Sequence, residues 1–421
     1  MIQAVKLLWL LTLVPSCTGR PIRKDLLSKS GRGHILATSA TSRSSGTGLD
    51  LPLTFSPKLK SMKESFPFYH TSAEISAEVK HLAEHCNGAL SIKTVSDGDR
   101  DIDVVTVRRP NSNPINRVFI LFGEHSRELI SPESGLAFLR GLCDEDQTVI
   151  QESLEDSEYQ MILNGNPKSR LIVEDGDFCV RVNPDGVDLN RNWDESWDGS
   201  YTSLDTYPGP EPFSEPETRI FRKLVTEYKP TTFLSVHSGT KGMYMPWAYD
   251  VNANPATRNS HEMMEVLQAL DKEHCECPFG AAGHEVGYSC PGTCLDWVYD
   301  KLSTPYAFAF EIFVMPSLQS GLSTRWEEAT SSGGTSLLDQ GAKLSHEHFS
   351  EVFKAHASDF VHLRANAEAS QQSTESPEEC FQVFNPMDEE SYNETVKNWA
   401  LAYAKMAKLV AGKLHNQKAT K

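Results

Sequence analysis

Two residues, His125 and Glu128, have types and a spacing that suit metal binding. They stand three positions apart in GEHSREL, which begins where the apolar run RVFILFG ends. Zinc in proteins takes imidazole nitrogen and carboxylate oxygen ligands, and catalytic zinc sites keep one position open. An H-x-x-E pair by itself is also typical of a solvated loop. His237 favours the metal interpretation, because it ends a second apolar run, TTFLSVH, and ligands of open α/β sheets gather at the strands' carboxyl ends.

A further carboxylate, Glu311, lies inside the strongly apolar run YAFAFEIF. A carboxylate buried without a partner costs several kcal/mol or binds a proton instead. Groups kept at that cost are typical of general acid–base catalysis. We therefore predict a catalytic role for Glu311.

The stretch GVDLNRNW places an amide and a guanidinium side by side, at Asn190 and Arg191. A planar guanidinium binds a carboxylate through two parallel hydrogen bonds. The pair therefore suits recognition of a carboxylate-bearing substrate. A surface arginine beside a capping asparagine is the alternative interpretation.

Strands and helices alternate along the middle of the chain. Apolar residues at helical spacing predict a helix at 75–83, and a second helix is expected at 132–142. The predicted strands are 102–107, 117–123, 231–237 and 306–313. The run at 117–123 is apolar throughout, as expected of a strand covered on both faces. Strands separated by helices predict an α/β fold: a single doubly wound domain whose mixed central sheet is flanked by helices.

Composition limits the class of protein. The 421 residues include 39% hydrophobic and 23% charged residues, which is ordinary for a globular chain. The formal net charge of −17 argues against a nucleic-acid partner, because phosphate contacts need a basic surface.

Residues 1–19 have the pattern of a secretory signal peptide. Lys6 precedes an apolar run at 7–14 that is too short to span a bilayer, and small residues follow. A buried N-terminal helix is the alternative. No second stretch is apolar enough to cross a membrane, so we expect a secretory, extracellular or vacuolar/lysosomal protein without stable membrane insertion.

Four further segments are expected to flank, interrupt or end the domain. Residues 20–60 are rich in Ser, Thr and Gly and predict a flexible lead-in or short pro-segment. The domain should cover 61–415, interrupted by a polar, partly disordered insertion at 316–379. An amphipathic helix near the end has one apolar face, and residues 416–421 form a tail. The residues of that face are Val396, Trp399, Tyr403, Met406 and Val410.

Nine cysteines are present, and Cys17 falls in the predicted signal peptide. The other eight form an even set, which favours disulfides in an oxidising compartment. A zinc-knuckle spacing is the less favoured alternative for Cys275, Cys277, Cys290 and Cys294. Asn393 in NET is a glycosylation sequon that agrees with the secretory route.

Taken together, these motifs resemble the zinc metallocarboxypeptidases of the carboxypeptidase A family. The resemblance covers roughly residues 66–315 and the final helix, and its residues are GEHSRELISPESG, GVDLNRNW, SVHSG, GYSCPGTCLDW and FAFEIF, in that order. A His₂Glu zinc set is characteristic of such enzymes. The resemblance implies a monomer with one Zn²⁺ that hydrolyses the C-terminal peptide bond of peptides or proteins with a free C-terminal carboxylate.

The resemblance also implies roles for individual residues at the metal. His125, Glu128 and His237 would ligate zinc, and Glu311 would act as general base and then as general acid. Arg181 would help to polarise the scissile carbonyl. Its assignment is open, because the loop that carries it is shorter than the family pattern, and Arg170 is the alternative.

The substrate side is implied in the same way. Asn190 and Arg191 would hold the terminal carboxylate, Arg127 would line the site, and Tyr288 would close over the bound residue. Leu295, just before DW, would lie at the floor of the side-chain pocket. A leucine there cannot pair with a cation, so we expect apolar or aromatic C-terminal residues to be preferred.

Two other functions are compatible with the motifs. A zinc amidohydrolase of N-acyl amino acids would use the same carboxylate clamp, and activity on longer peptides discriminates against it. A non-catalytic secreted binding protein would keep the fold, but such a protein typically lacks a zinc ligand or the catalytic glutamate, and all of these residues are present here.

Overall fold

The computed structural model describes residues 59–144, 146–316 and 376–419. The predicted signal peptide, nearly all of the lead-in and most of the 316–379 insertion lie outside these residues. The last residues of the insertion are described. They begin a helix, because Ser376 caps it and Glu379 completes a capping box.

The helices flank a central sheet. The principal helices, in chain order, are α1 (Met62–Ser65), α2 (Ser72–His85), α3 (Ile130–Cys143), α4 (Thr148–Gln151), α5 (Pro167–Glu174), α6 (Pro216–Tyr228), α7 (Ser260–Leu270), α8 (Ala282–Val286), α9 (Cys294–Asp300), α10 (Pro377–Phe384) and α11 (Glu389–Ala419). Short 3₁₀ turns occupy Glu152–Leu154 and Leu189–Arg191, and a π turn occupies Asp271–Cys275.

The strands form one eight-stranded sheet. They are β1 (Leu90–Asp97), β2 (Arg100–Val107), β3 (Asn116–Phe122), β4 (Ser157–Ile162), β5 (Thr232–His237), β6 (Lys241–Met245), β7 (Phe279–Ala281) and β8 (Tyr306–Ile312). The order is β1-β2-β4-β3-β5-β8-β6-β7. Strands β4, β3, β5 and β8 are parallel, whereas β1, β2 and β6 introduce antiparallel pairs. The predicted mixed sheet flanked by helices is therefore confirmed.

The sheet has a topological switch point between β3 and β5. From β3 the chain moves to β4 on one side and then returns to β5 on the other side. In open α/β sheets, ligands bind in the crevice that such a reversal opens at the carboxyl ends of the strands. His125 follows β3 and His237 ends β5, so topology alone brings both histidines to this crevice.

The terminal helix packs as its apolar face predicted. All five residues of that face are buried. Trp399 Nε1 donates to the Ile312 carbonyl at 2.9 Å, and Asn116 Nδ2 donates to the Ala407 carbonyl at 3.2 Å. These bonds join α11 to the ends of β8 and β3, so the helix covers the strands that carry the site.

Six of the eight cysteines form disulfides, and two do not. The bonded pairs are Cys86–Cys143, Cys179–Cys380 and Cys275–Cys277. The zinc-knuckle alternative is excluded, because Cys275 and Cys277 bond each other. Cys290 and Cys294 contradict the disulfide prediction. Both thiols are buried against oxygen atoms instead: Cys290 Sγ lies 3.9 Å from the Tyr288 carbonyl and Cys294 Sγ lies 3.8 Å from Glu124 Oε2.

Within the described ranges, no helix is both long enough and apolar enough to span a bilayer.

Candidate metal and catalytic site

The three predicted zinc ligands form one buried cluster. His125 Nδ1 lies 2.7 Å from Glu128 Oε1 and 3.1 Å from His237 Nδ1, and His237 Nδ1 lies 3.1 Å from Glu128 Oε2. The candidate ligand atoms all lie within 4.8 Å of one another, and all three residues are buried. Two imidazole nitrogens and one carboxylate oxygen at this spacing fit a zinc ion.

The far nitrogens of both rings have partners of their own. His125 Nε2 lies 3.1 Å from Asp188 Oδ1, and His237 Nε2 lies 2.6 Å from Ser235 Oγ. A proton on Nε2 leaves the lone pair of Nδ1 pointing into the cluster. Such outer partners set the tautomer and orientation of metal-ligating histidines.

The loop that carries His125 is held by distant parts of the chain. Gly123 turns the chain after β3 with φ +67, and a Cβ there would lie 3.0 Å from Pro132 Cγ. Ser131 Oγ donates to the Val236 carbonyl at 2.7 Å. Asn385 accepts from the Ile130 N–H at 3.0 Å and donates to the carbonyl of Arg127 at 2.9 Å. The loop is therefore tied to β5 and to the segment after α10.

Opposite charges stabilise one another inside the cluster. Burial opposes ionisation of Glu128, yet the adjacent His125 and His237 hold the pKa of the Glu128 carboxyl well below its usual range. Burial likewise opposes protonation of His237, but the hydrogen bond and charge of Glu128 raise the pKa of His237 to about 9. Ligation needs a neutral imidazole, so metal binding releases this proton.

Glu311 stands beside the cluster. It is in register with His237, across the β5–β8 pair. Its buried Oε2 atom has no hydrogen-bond partner in the described part of the chain. Burial and then the negative charge of Glu128 raise the pKa of Glu311 to about 7. A carboxyl poised near neutrality suits a general base.

Arg181 is brought to the metal cluster, as predicted, whereas Arg170 is not. Arg181 Nη1 lies 3.1 Å from His125 Nδ1 and 3.4 Å from Glu128 Oε1, and Nη2 donates to Asp188 Oδ2 at 2.9 Å. Arg170 instead donates to Glu174 Oε1 at 3.1 Å and to a backbone carbonyl at 2.8 Å. The geometry therefore favours Arg181 as the guanidinium at the metal.

Asn190 and Arg191 belong to a 3₁₀ turn next to the cluster. Asp188 caps this turn by accepting from the Asn190 N–H at 2.9 Å. Asn190 Nδ2 lies 3.4 Å from His237 Nε2, and Asn190 Oδ1 accepts from the Cys294 N–H at 3.0 Å. Arg191 is buried, and its Nη1 donates to the Asn190 carbonyl at 2.7 Å. The turn thus links the metal ligands to the start of α9.

Arg127 contacts the 179–205 segment and the Phe384 ring through its guanidinium. Its Nη1 donates to the Cys179 carbonyl and to Asp205 Oδ2, both at 3.1 Å. Its guanidinium lies 4.2 Å from the centre of the Phe384 ring. Arg127 therefore connects the loop after β3 with the 179–205 segment and with α10.

Tyr288 and Leu295 occupy different environments. Tyr288 is 43% exposed and lies within electrostatic range of the Arg191 guanidinium. Leu295 is only 2% exposed, in the first turn of α9, within the hydrophobic core. Its neighbour Asp296 accepts from the Ala248 and Tyr249 N–H groups, at 2.9 Å for the nearer carboxylate oxygen. Leu295 is therefore held rigidly, whereas Tyr288 has room to move.

Sequence reasoning missed four supporting residues: Asp188, Ser235, Glu124 and Asn385. The first three lie within or beside the motifs that marked the site, so their position next to those motifs was the signal that could have identified them. Glu124 is a buried carboxylate with Oε2 3.7 Å from His237 Nε2, and its pKa is raised by burial. Asn385 lies over 250 residues from the loop that it holds, and nothing near it in the sequence marks it.

Comparison with known proteins agrees with the zinc site that the geometry indicates. The model of the zinc carboxypeptidase family matches residues 75–330. Carboxypeptidase A5 of Macaca fascicularis is 25% identical over 285 residues, which cover 61% of this chain and 64% of that relative, less than two thirds of its length. A zinc carboxypeptidase of Simulium vittatum is 27% identical over 268 residues, covering 58% of this chain and 85% of the relative.

A solved structure shows the same fold. Bovine thrombin-activatable fibrinolysis inhibitor, in complex with tick carboxypeptidase inhibitor, superposes with a TM-score of 0.56 at 19% identity. The alignment covers 81% of this chain and 97% of that chain. The family match spans more than half of the sequence and includes every predicted metal ligand. The chain belongs to the zinc carboxypeptidase family.

Proposed function

We propose that this protein is a zinc-dependent metallocarboxypeptidase that removes the C-terminal residue of peptides or proteins. The observation that carries the proposal is the convergence of three residues at the switch point of the sheet. His125, Glu128 and His237 form a buried His₂Glu cluster, and Glu311 stands beside it with an unpartnered buried oxygen. A ligand set next to a carboxyl of raised pKa is the arrangement that metal-assisted hydrolysis requires.

The neighbouring guanidinium supports an exopeptidase. Arg191 follows Asn190, whose Nδ2 lies 3.4 Å from His237 Nε2, and it keeps its positive charge when buried. A C-terminal carboxylate can form two charge-assisted hydrogen bonds with it, whereas an internal peptide offers no such group. Asn190 supplies an amide beside it, and Tyr288 is exposed enough to cover a bound residue.

The chain's own groups then provide the proton transfers. Zinc, when bound by His125, Glu128 and His237, supplies a Lewis acid that polarises water and the scissile carbonyl. Glu311 accepts the proton of the attacking water and delivers it to the leaving amine. Arg181 stabilises the negative charge that develops on the carbonyl oxygen. One peptide bond is broken, and the product carboxylate and amine share the elements of water.

A preference for apolar or aromatic C-terminal residues follows from Leu295. The side chain is apolar and packed in the core, so it offers no charge to a lysine or arginine. We expect C-terminal Phe to be released faster than C-terminal Arg from matched peptides. Faster release of Arg would contradict this part of the proposal without affecting the carboxypeptidase activity itself.

An oxidising compartment is part of the same proposal. The three disulfides join segments as far apart as Cys179 and Cys380. Such bonds persist in the secretory route and outside the cell, whereas the cytosol reduces them.

Release of C-terminal Phe from a blocked dipeptide and from a longer peptide tests the function. We expect activity that a chelator abolishes, that zinc restores, and that Glu311→Gln lowers by about 10²–10⁴-fold. The variant must bind one zinc per chain, which separates lost chemistry from lost metal.

Other outcomes would redirect the assignment. Hydrolysis of N-acyl amino acids but not of longer peptides would indicate the amidohydrolase. A wild-type protein that holds one zinc yet releases no Phe, Leu, Arg or Glu would indicate a binding role.

A further inference from the structure

A second cluster of candidate metal ligands lies on the surface, on α2. His81, Glu84 and His85 are all exposed and occupy the last two turns of this helix. Residues three and four apart on a helix lie on the same face. None of the three contributes to the catalytic cluster.

The geometry of the cluster suits a chelate. The ring centroids of His81 and His85 are 4.2 Å apart. One ligand atom from each of His81, Glu84 and His85 lies within 4.8 Å of the others. Two imidazoles and one carboxylate therefore lie close enough together to share one ion.

One histidine is also pre-oriented. His85 Nδ1 lies 2.7 Å from the His81 carbonyl oxygen, so Nδ1 carries the proton and donates it to that carbonyl. The Nε2 atom of His85 then keeps its lone pair for a metal. A ring N–H bonded to a backbone carbonyl is the outer partner that metal-ligating histidines usually have.

The end of the helix favours positive charge. The last carbonyls of an α-helix carry a partial negative charge, which attracts cations within the final turn. His85 is the last residue of α2, and Cys86 caps the helix with its N–H on the Leu82 carbonyl. The Cys86–Cys143 disulfide anchors this end to α3, so the ligands stand on a fixed support.

The carboxylate is available to an ion. Glu84 forms no salt bridge with any lysine or arginine of the described segments. By contrast, Glu78 on the same helix is held by Arg140 at 2.7 Å. Glu84 can therefore contribute a negative charge without first losing a partner.

We propose that His81, Glu84 and His85 form a second metal site, on the surface, for a borderline divalent transition ion. Imidazole and carboxylate ligands suit Cu²⁺, Ni²⁺ and Zn²⁺, and affinity for such ligands is highest for Cu²⁺. The site is open to solvent, so its remaining positions accept water or a ligand from another molecule.

Cu²⁺ binding to the full chain tests the proposal. The protein is loaded with one equivalent of zinc and titrated with Cu²⁺ by calorimetry, while released zinc is counted. We expect one further equivalent of Cu²⁺ without zinc release, and an electron paramagnetic resonance spectrum with nitrogen ligation. His81→Ala/His85→Ala should weaken this binding by at least about 10-fold.

A matched control is available on α7. His261 is exposed and lies 3.5 Å from Glu265, four residues on, so it offers one imidazole and one carboxylate. His261→Ala should leave Cu²⁺ binding unchanged. Unaltered Cu²⁺ binding in the α2 double variant, or uptake matched by zinc release, would overturn the proposal. Both substituted positions are exposed, so we expect the double variant to keep the unfolding midpoint of the wild type. Measuring that midpoint verifies that the variant is folded.

Discussion

The buried cluster His125–Glu128–His237 and the surface cluster His81–Glu84–His85 use the same kinds of ligand and share one sequence pattern. Both contain H-x-x-E, as HSRE and as HLAE. The surface group gains its second histidine from the next position of the same helix. The buried group gains it from β5, over 100 residues away. An identical local pattern therefore has different consequences, depending on what the fold adds to it.

At the buried cluster, the fold adds the kinds of group that hydrolysis needs. Asp188 and Ser235 lie within hydrogen-bond distance of the buried histidines, and Arg181 and Glu311 place a guanidinium and a carboxyl beside them. On α2, a backbone carbonyl is the partner of His85, and no ion pair within the described ranges joins an arginine to His81, Glu84 or His85. We expect the first cluster to support hydrolysis and the second only to bind an ion.

After the Glu311→Gln variant described above, the largest expected effect comes from removing the fixed cation of the buried cluster. Arg181→Ala should lower kcat by about 10²–10³-fold, because the developing negative charge loses a pre-oriented donor. The assay is release of C-terminal Phe at saturating substrate, with zinc content measured in parallel. The control is Arg222→Ala, because the Arg222 guanidinium lies over the Phe213 ring. An unchanged kcat in the Arg181 variant would remove that residue from the mechanism.

Glu311 should also measurably lower the free energy of unfolding of the zinc-free protein. The pKa of Glu311 in the folded state is about 7, above its ordinary value of 4.5. The folded state therefore holds this proton more tightly than the unfolded state, and stability falls as pH rises between these values. Glu311→Gln removes this loss of stability. The loss is on the order of 3 kcal/mol when Glu311 is fully ionised, because one pKa unit corresponds to about 1.4 kcal/mol.

Urea unfolding of chelator-treated protein at pH 5 and pH 8 measures this difference. Glu311→Gln should be more stabilising at pH 8 than at pH 5. An equal gain at both pH values would mean that the raised pKa does not arise from the folded environment.

The outer partner of His125 should have a smaller effect. Asp188→Asn keeps an oxygen for the 3₁₀ turn but removes the charge that fixes His125 and Arg181. We expect zinc affinity to fall by about 10–100-fold, measured by competition with a chelator. Asp185→Asn, on the same loop but exposed and paired with Arg100, should leave zinc affinity unchanged. Equal losses in both variants would indicate a disturbed loop rather than an oriented ligand.

The smallest effect is expected from substitutions in the surface cluster on α2. His81→Ala/His85→Ala should change the free energy of unfolding by no more than about 0.5 kcal/mol, as is usual for exposed positions. Its kcat/KM for C-terminal Phe should equal that of the wild type. A loss of hydrolysis in this variant would contradict the separation of the two clusters.

Much of the site could be read from the sequence because its residues lie at strand ends. The apolar runs before His125 and His237 and around Glu311 predicted buried strands, and strand ends of an α/β sheet meet at one edge. The supporting residues were not predicted. Ser235 and Glu124 stand beside the motif residues in sequence, but only the folded chain shows that both contact His237.

Local pattern and composition determined the ligand types, the strands that carry them and the apolar face of the last helix, because these depend on spacing along the chain. Tertiary structure alone decided which of the two H-x-x-E pairs in the described ranges is buried, which of two arginines faces the metal cluster, and that Cys290 and Cys294 stay unpaired. Each of these outcomes depends on groups more than 40 residues apart in sequence. Such proximity is set by sheet order and packing, which the spacing of residues along one segment does not encode.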